Sequence, residues 1–262
     1  MEFMNSLISI VQSAGDAIME TFQSEALAIQ SKDDLSPLTK ADQDSHNIIV
    51  SMLHDAFPEI PIISEESFQH LSTDELQSWD TFWLVDPLDG TKEFINGSDE
   101  FVTMIALIEN SYPTVGIIYQ PTTQNGIFSK QSSGAFSFHA SLKPTKITTN
   151  TFGSTNQLRS LISKNHASKE QLFIKEKFPS FDHAFIGMGS GLKFCDLAHG
   201  NSDIYLRLGP TYEWDTAAGQ IILEESGYAM LDLATLSPLT YNKPSLKNNG
   251  FICLPQSLTA RL

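Results

Sequence analysis

Residues 82–94 form the stretch that most constrains the fold of this chain. They read F-W-L-V-D-P-L-D-G-T-K-E-F, an apolar run followed by two aspartates, a proline, a glycine and a threonine. The apolar run predicts a strand buried on both faces, and Pro87 predicts that the chain leaves the sheet at that point. Asp86 would then lie at the carboxyl end of the strand, while Gly90 and Thr91 would open a helical turn suited to an anion. Two hard oxygen ligands beside such a turn indicate Mg²⁺.

The acidic composition of the chain limits what it can bind. Sixteen basic and 31 acidic residues give a formal net charge of −15, which argues against binding nucleic acid or anionic lipid through bulk charge. A phosphate substrate is also an anion, so a carboxylate-rich pocket attracts it only when divalent cations are bound. The sequence has no zinc pattern of histidines and cysteines, no G-x-x-x-x-G-K-[ST] loop and no G-x-S-x-G turn. A zinc enzyme, an NTPase and a serine hydrolase are therefore not supported.

Length and segment composition are typical of a cytosolic globular protein. The chain has 262 residues, near the limit for one domain. No apolar run approaches the roughly 20 residues that span a membrane, and the first residues lack the pattern of a secretory signal. Two cysteines, Cys195 and Cys253, do not make a disulfide framework, so we expect buried, reduced thiols.

The hydrophobic pattern predicts two halves, residues 1–150 and 151–262, divided at a polar stretch over 151–157. In the first half we expect amphipathic helices around 7–22 and 42–57, a short strand at 60–63, an antiparallel meander over 101–138 and an edge strand at 147–149. The second half predicts a βαβα order. Its strands fall near 159–162, 184–186, 203–206 and 250–254, and its helices at 167–177, after Gly191 and over 213–226.

Four further acidic residues allow both a structural and a functional interpretation. Asp42 lies near the start of the second helix, where an acidic cap is favoured in any protein. Glu65 and Glu66 follow the short strand, as Asp86 follows its own, although neighbouring carboxylates in a solvated loop usually have no function. Asp215 falls in the first turn of a predicted helix, where the helix dipole alone favours it. The small pair at 217–218 would let this helix pack close to a sheet.

Several separated motifs together resemble a known family. D-P-L-D-G-T, with I-S-E-E-S before it and E-W-D-T-A-A-G-Q far downstream, resembles the inositol monophosphatase-like phosphatases. W-L-V-D-P-L-D-G-T-K-E-F and S-G-L-K-F-C are most similar to the CysQ-type branch, the 3'(2'),5'-bisphosphate nucleotidases. The resemblance runs from about residue 31 to about residue 251. It implies an α/β fold, the layered αβαβα sandwich of the inositol monophosphatase and fructose-1,6-bisphosphatase type.

The resemblance also implies roles for individual residues. It assigns two or three Mg²⁺ ions to four carboxylates and one carbonyl oxygen: Glu65, Asp86, Asp89, Asp215 and the carbonyl of Leu88. Asp42, in the T-x-x-D motif, and Thr91 would orient the attacking water, because a threonine hydroxyl needs an acceptor to polarise it. Glu66 would hydrogen-bond to water on the metal ions. The implied substrate contacts are Leu88, Asp89, Gly90, Thr91, His166, Ser190, Lys193 and Asp215.

Two stretches depart from the pattern of the nucleotidase branch. Residues 163–166 read S-K-N-H in place of S-R-S-H, and residues 189–193 read G-S-G-L-K in place of G-S-S-L-K. Each is typical of a helix N-terminus with an added cation. Such a segment can bind the second phosphate or the ribose of a nucleotide, or it can be an ordinary capping turn. Arg207 either guides the substrate or pairs with Glu213, and the sequence leaves both open.

The resemblance implies Mg²⁺-dependent hydrolysis of adenosine 3',5'-bisphosphate to AMP and phosphate, with a role in sulfur assimilation and inhibition by lithium. An inositol or sugar phosphatase of the same fold is the alternative, although K-E-F after D-G-T, where inositol enzymes have T-N-F, favours the nucleotidase. A second alternative is a catalytically inactive regulator that binds Mg²⁺ or nucleotide. A cytoplasmic location is implied, with peripheral contact to the inner membrane as its alternative, and the oligomeric state is left open.

Overall fold

The computed structural model describes residues 2–24, 29–31, 37–140, 143–148, 156–162 and 167–262, with side chains outside 29–31, 37–38 and 167. In this part of the chain the helices are α1 (Glu2–Phe22), α2 (Lys40–Ala56), α3 (Thr73–Gln77), α4 (Thr91–Ile95), α5 (Ala167–Lys177), α6 (Leu192–Ala198) and α7 (Ala217–Glu224). Short 3₁₀ helices cover Phe68–His70 and Gln256–Arg261. No described helix combines the length and apolarity needed to cross a bilayer.

The strands in the described residues form two main sheets and two small ribbons. They are β1 (Ile29–Ser31), β2 (Pro37–Thr39), β3 (Ile62–Ser64), β4 (Thr81–Asp89), β5 (Val102–Glu109), β6 (Tyr112–Gln120), β7 (Asn125–Lys130), β8 (Gly134–His139), β9 (Thr145–Lys146), β10 (Gln157–Ile162), β11 (Asp182–Gly187), β12 (Ile204–Arg207), β13 (Thr211–Tyr212), β14 (Tyr228–Asp232), β15 (Lys247–Asn248) and β16 (Phe251–Pro255). The predicted meander is confirmed as β5 to β8.

The first sheet has seven strands in the order β3-β4-β5-β6-β7-β8-β9. Strands β3 and β4 are parallel, and the later neighbours are antiparallel. The expectation that the chain leaves the sheet at Pro87 is wrong. The pairing of β4 with β5 is interrupted after Asp86 and resumes at Asp89, so the missing N–H of Pro87 falls in the irregularity. The carbonyl of Pro87 accepts hydrogen bonds from Ser45 Oγ at 2.8 Å and Thr103 Oγ1 at 3.0 Å.

The second sheet has five strands in the order β11-β10-β12-β16-β14. Strand β10 is parallel to β11 and β12, while β16 is antiparallel to β12 and β14. The predicted strands and the helix over 167–177 are confirmed, but β14 was not predicted. The last helix begins at Ala217 and not at 213. The edge strand of the first sheet lies at Thr145–Lys146, ahead of the predicted 147–149, of which residue 149 lies outside the described residues.

The layers stack as helices, sheet, helices, sheet and helix, which confirms the predicted αβαβα sandwich. On the outer face of the first sheet, Leu7 of α1 and Ile49 of α2 share a buried cluster with Trp83 and Ile105. Helices α6 and α7 contribute to the core between the sheets, and α5 packs on the far face of the second sheet. Helix α7 lies very close to β6. A Cβ at Gly116 of β6 would come within 2.7 Å of the carbonyl oxygen of Ala218 in α7, so glycine is needed there.

Candidate active site

A cavity of about 300 Å³ is lined by residues of both main sheets and the loops beside them. Its lining includes four carboxylates from three separate segments: Glu65, Asp89, Glu93 and Asp215. A larger cavity of about 720 Å³ has a single carboxylate, Asp196, among its described lining residues. Because the predicted chemistry depends on convergent carboxylates, the smaller cavity is the candidate site.

Local structure brings each of these side chains to the cavity. Glu65 directly follows β3, and its N–H donates to the carbonyl of Val85 at 3.1 Å, which ties this residue to β4. Asp89 is the last residue of β4. Asp215 was predicted in the first turn of a helix, but it lies in the turn ahead of α7, where its Oδ2 accepts the N–H of Tyr212 at 2.8 Å. Three of the four predicted carboxylate ligands therefore line one cavity.

The other predicted ligands lie deeper. Asp86 is 2% exposed, and its Oδ1 accepts the N–H of Leu88 at 3.0 Å. The carbonyl oxygen of Leu88 lies 3.2 Å from Thr91 Oγ1, while the Leu88 side chain is buried in a cluster with Phe94 and Phe101. Neither Asp86 nor Leu88 is among the residues that line the cavity. Glu66 is half-buried and is also outside this lining.

The buried carboxylates repel one another. Burial raises the pKa of Asp89 to about 6, and the charge of nearby Glu65 adds to this rise. The charge of Lys193 and the hydrogen bond from the N–H of Gly191 lower the pKa and so act against it. Burial, followed by the charges of Asp89 and Glu65, raises the pKa of Asp215 well above its usual value. Oxygen donors that disfavour their own charge in this way fit a divalent cation, which would stabilise the ionised forms.

The described side chains are not arranged as a complete set of metal ligands. Among them, no group of three or more His, Cys, Asp and Glu residues is close enough to hold a metal ion as it stands. Instead, backbone N–H groups occupy one oxygen each of Asp86, Asp89 and Asp215. The donor chemistry therefore fits Mg²⁺, while in this arrangement each of the three carboxylates accepts a hydrogen bond from the backbone.

Asp42 both caps helix α2 and contacts Thr91, the two roles that the sequence allowed. It completes a capping box at the start of α2, in which Oδ2 accepts the N–H of Thr39 at 2.7 Å. Its Oδ1 accepts a hydrogen bond from Thr91 Oγ1 at 3.1 Å. Asp42 is 1% exposed, so capping fixes its carboxylate in the orientation that the Thr91 hydroxyl uses.

Gly90 sets the turn between Asp89 and Thr91. Its φ of +99° lies in the left-handed region, which favours glycine. A Cβ at this position would also meet the carbonyl oxygen of Glu100 at 2.7 Å. The turn leads into α4, which begins at Thr91 as predicted.

The second half of the chain contributes residues 188–191, the glycine loop, together with Lys193. The Nζ of Lys193 donates to the carbonyls of Met188 at 3.0 Å and Ser190 at 2.8 Å, and the side chain is 6% exposed. Burial lowers its pKa to about 8, although Asp89 acts in the opposite direction. Ser190 and Lys193 line the cavity with Asp89. His166, the remaining predicted contact, lies outside the described residues.

Sequence reasoning missed part of the lining. Tyr205 and Phe251 come from strands of the second sheet that carry no motif, whereas Glu93 belongs to the K-E-F motif and could have been proposed. Arg207 also lines the cavity, in agreement with one of its two interpretations. Glu213 forms an ion pair with Lys243 at 2.7 Å.

Comparisons with known proteins show which family this chain resembles in sequence and fold. The model of the inositol monophosphatase family matches residues 1–261. A CysQ 3'(2'),5'-bisphosphate nucleotidase of Aggregatibacter actinomycetemcomitans is 34% identical over 250 residues, covering 95% of this chain and 91% of the relative. Its counterpart in Shigella flexneri is 35% identical over 257 residues, covering 95% and 98%. The crystal structure of CysQ from Bacteroides thetaiotaomicron has a TM-score of 0.83 at 30% identity, covering 96% of this chain and 97% of that one.

Proposed function

This chain belongs to the inositol monophosphatase family, and we propose that it is a Mg²⁺-dependent phosphomonoesterase that converts adenosine 3',5'-bisphosphate to AMP and phosphate. The observation that carries the proposal is the meeting of Glu65, Asp89 and Asp215 in one cavity beside the hydrogen-bonded pair Thr91 and Asp42. The choice of a bisphosphate nucleotide rests on the CysQ relatives, which are named for that activity.

The carboxylates account for the proposed cofactor. Two or three Mg²⁺ ions would be held by Glu65, Asp86, Asp89, Asp215 and the carbonyl of Leu88. When bound, they supply the positive charge that attracts the phosphate and stabilises the charge developing on its oxygens. Two divalent ions neutralise four carboxylates, so a chain with a net charge of −15 can accept an anionic substrate at this one place.

The Thr91–Asp42 pair accounts for activation of the nucleophile. The Thr91 hydroxyl donates its proton toward Asp42 Oδ1, which leaves its oxygen lone pairs to accept a hydrogen bond from water. The capping box holds Asp42, so the water is oriented by a rigid pair. The N–H groups of Gly90 and Thr91 are the proposed donors to the transferred phosphate.

The second half accounts for selection of the substrate. Lys193 uses two of its three N–H donors on the glycine loop, and the third is the proposed contact to the second phosphate of the nucleotide. Ser190, Arg207 and, as the resemblance implies, His166 complete this proposed contact surface. Residues 1–150 would thus carry the chemistry and residues 151–262 much of the specificity. The role in the cell would be recycling of this nucleotide in sulfur assimilation, in the cytoplasm.

A phosphate-release assay tests the proposal. The purified protein is given adenosine 3',5'-bisphosphate or inositol 1-phosphate, each with Mg²⁺ and with EDTA, and the Asp89→Asn variant serves as the inactive control. We expect rapid release from the nucleotide, slower release from the inositol phosphate, and none without Mg²⁺. Preference for inositol 1-phosphate would replace the nucleotidase with the sugar-phosphatase alternative. No release from either substrate would refute enzymatic function.

A further inference from the structure

The glycine loop is joined to the first half of the chain by two carboxylates. The N–H of Gly189 donates to Oε2 of Glu100 at 2.6 Å, across 89 residues of sequence. The N–H of Gly191 donates to Oδ2 of Asp89, across 102 residues. Both glycines are buried, so their N–H groups need partners within the protein. The loop therefore takes its position from acidic side chains on the opposite side of the cavity.

Of these two links, only the one to Glu100 is independent of the proposed cofactor. Asp89 is a proposed metal ligand, so its bond to Gly191 competes with metal binding. Glu100 lies just before β5 and belongs to none of the proposed ligand groups. Its hydrogen bond can hold the glycine loop whatever Asp89 coordinates.

Glu100 also touches residues 89–91, named here the phosphate turn because the N–H groups of Gly90 and Thr91 are the proposed donors to the transferred phosphate. A Cβ at Gly90 would come within 2.7 Å of the carbonyl oxygen of Glu100 and 3.1 Å of the Cβ of Ser190. A Cβ at Gly189 would come within 2.7 Å of the Glu100 carboxylate. Residue 100 thus fills the junction between the phosphate turn and the glycine loop, and both loops have glycine where they approach it.

We infer that Glu100 is a positioning residue, which holds the glycine loop and Lys193 at a fixed distance from the phosphate turn and so sets where the second phosphate of the substrate binds. Lys193 is coupled to this loop through the carbonyls of Met188 and Ser190. The inference deepens the proposed function and rests on it. Loss of the link would displace the second-phosphate contact while leaving Thr91 and Asp42 in place.

Two variants and a matched control separate this role from general stability. Glu100→Ala removes the acceptor, and Glu100→Gln keeps an oxygen that can accept the Gly189 N–H. Glu225→Ala is the control, because Glu225 is also half-buried and accepts backbone N–H groups of another turn, from Ser132 at 2.7 Å and Gly134 at 2.6 Å. Steady-state kinetics are measured with adenosine 3',5'-bisphosphate and with adenosine 3'-monophosphate, which lacks the second phosphate.

We expect Glu100→Ala to raise KM for the bisphosphate roughly tenfold, the effect of one charge-assisted hydrogen bond, with kcat and the KM for the monophosphate changing less than about threefold. Glu100→Gln should restore most of the affinity, and Glu225→Ala should leave both values unchanged. An equal loss on both substrates, or no loss, would overturn the inference. A Glu100→Gln variant as poor as Glu100→Ala would also overturn it, since charge and not the hydrogen bond would then be responsible.

Hydrogen exchange of the metal-free protein provides a readout that needs no substrate. Peptides that cover residues 188–191 should exchange at least about tenfold faster in Glu100→Ala than in the wild type, and Glu225→Ala should match the wild type there. Unchanged exchange in Glu100→Ala would refute the link itself. Faster exchange in a protein whose wild type hydrolyses no nucleotide would instead refute the proposed function and leave the link standing.

Discussion

The polar groups on the two sides of the cavity are held in different ways. On the side of the first half, Asp42 is fixed by Thr39, three residues away, and it accepts the hydrogen bond of Thr91 from 49 residues away. On the side of the second half, the glycine loop is held through partners 89 and 102 residues distant. The capping box that orients Asp42 is local, and its contact with Thr91 forms within the first half of the chain, whereas the glycine loop is held only after the two sheets have packed together.

This difference suggests a division of labour. Groups fixed by short turns stay in place when distant parts of the protein shift, which suits the chemical step. Groups fixed across the interface of two sheets follow every change in packing, which suits recognition of a particular substrate. The predictions below test whether substitutions on the two sides affect kcat and KM in these different ways.

Asp89→Asn should have the largest effect. The amide keeps an oxygen for the Gly191 N–H but removes the negative charge proposed for metal binding, so kcat should fall by at least about 1,000-fold. The metal-free variant should be no less stable than the wild type, because a buried, repelling charge is gone. Kinetics with Mg²⁺ and thermal unfolding measure both quantities. Activity near that of the wild type would remove Asp89 from the ligands.

Thr91→Val should reduce kcat about 100-fold through loss of the hydroxyl bonded to Asp42, with little change in thermal stability. Thr39→Val is its counterpart, since it removes the capping hydroxyl of α2 and leaves Thr91 intact. That variant should lose about 1 kcal/mol of stability and much less activity. If both variants lost the same activity, Asp42 would matter as a helix cap only.

Lys193→Met should raise KM for the bisphosphate roughly tenfold and change kcat little. Burial lowers the pKa of Lys193 to about 8, so in the wild type KM should rise as the pH passes 8, and the variant should lack this rise. Between about pH 8 and 10.5, Lys193 is more often protonated in the unfolded chain than in the folded protein. The free energy of unfolding should therefore increase as the pH rises through that window. A pH-independent KM in the wild type would contradict the assignment.

Metal removal should abolish activity, and it should also lower thermal stability. Mg²⁺ at about 100 times its Kd should add about 2.7 kcal/mol, or roughly 5–10 °C in Tm. The raised pKa of Asp89 means that the folded metal-free protein binds more protons between its usual 3.8 and about 6, so this group favours folding as the pH falls through 6. Protons then compete with Mg²⁺, and the Tm shift should shrink at pH 5. An equal shift at pH 5 and pH 7.5, measured by calorimetry with Asp89→Asn as control, would argue against these carboxylates as the site.

The sequence predicted the fold wherever the hydrophobic period was strong. The meander of β5 to β8 and helix α5 followed from alternation, helical spacing and turn residues. The start of α7 was placed four residues too early, because Glu213 is engaged by Lys243 and Asp215 by the N–H of Tyr212, interactions that spacing does not reveal. Pro87 was expected to end β4, but an interruption in strand pairing accommodates it.

The residues of the candidate site also fall into two groups, those that sequence motifs located and those that only the structure revealed. Motifs located Asp89 and Thr91 together with the residues around them, since their turn is encoded within a few positions. They gave no indication of Glu100 or Tyr205, whose proximity to the glycine loop and the cavity depends on how the two sheets meet. No residue near Glu100 in sequence shows that Gly189 will be its partner. Tertiary contacts of this kind require the structure.

The most direct test of the account is anomalous diffraction from crystals grown with Mn²⁺ in place of Mg²⁺. Metal peaks are expected in the cavity in contact with the carboxylates of Glu65, Asp89 and Asp215, with Asp86 turned toward them, and they should vanish in Asp89→Asn. A well-ordered cavity with no anomalous signal at saturating Mn²⁺ would contradict the claim that these side chains form a metal site.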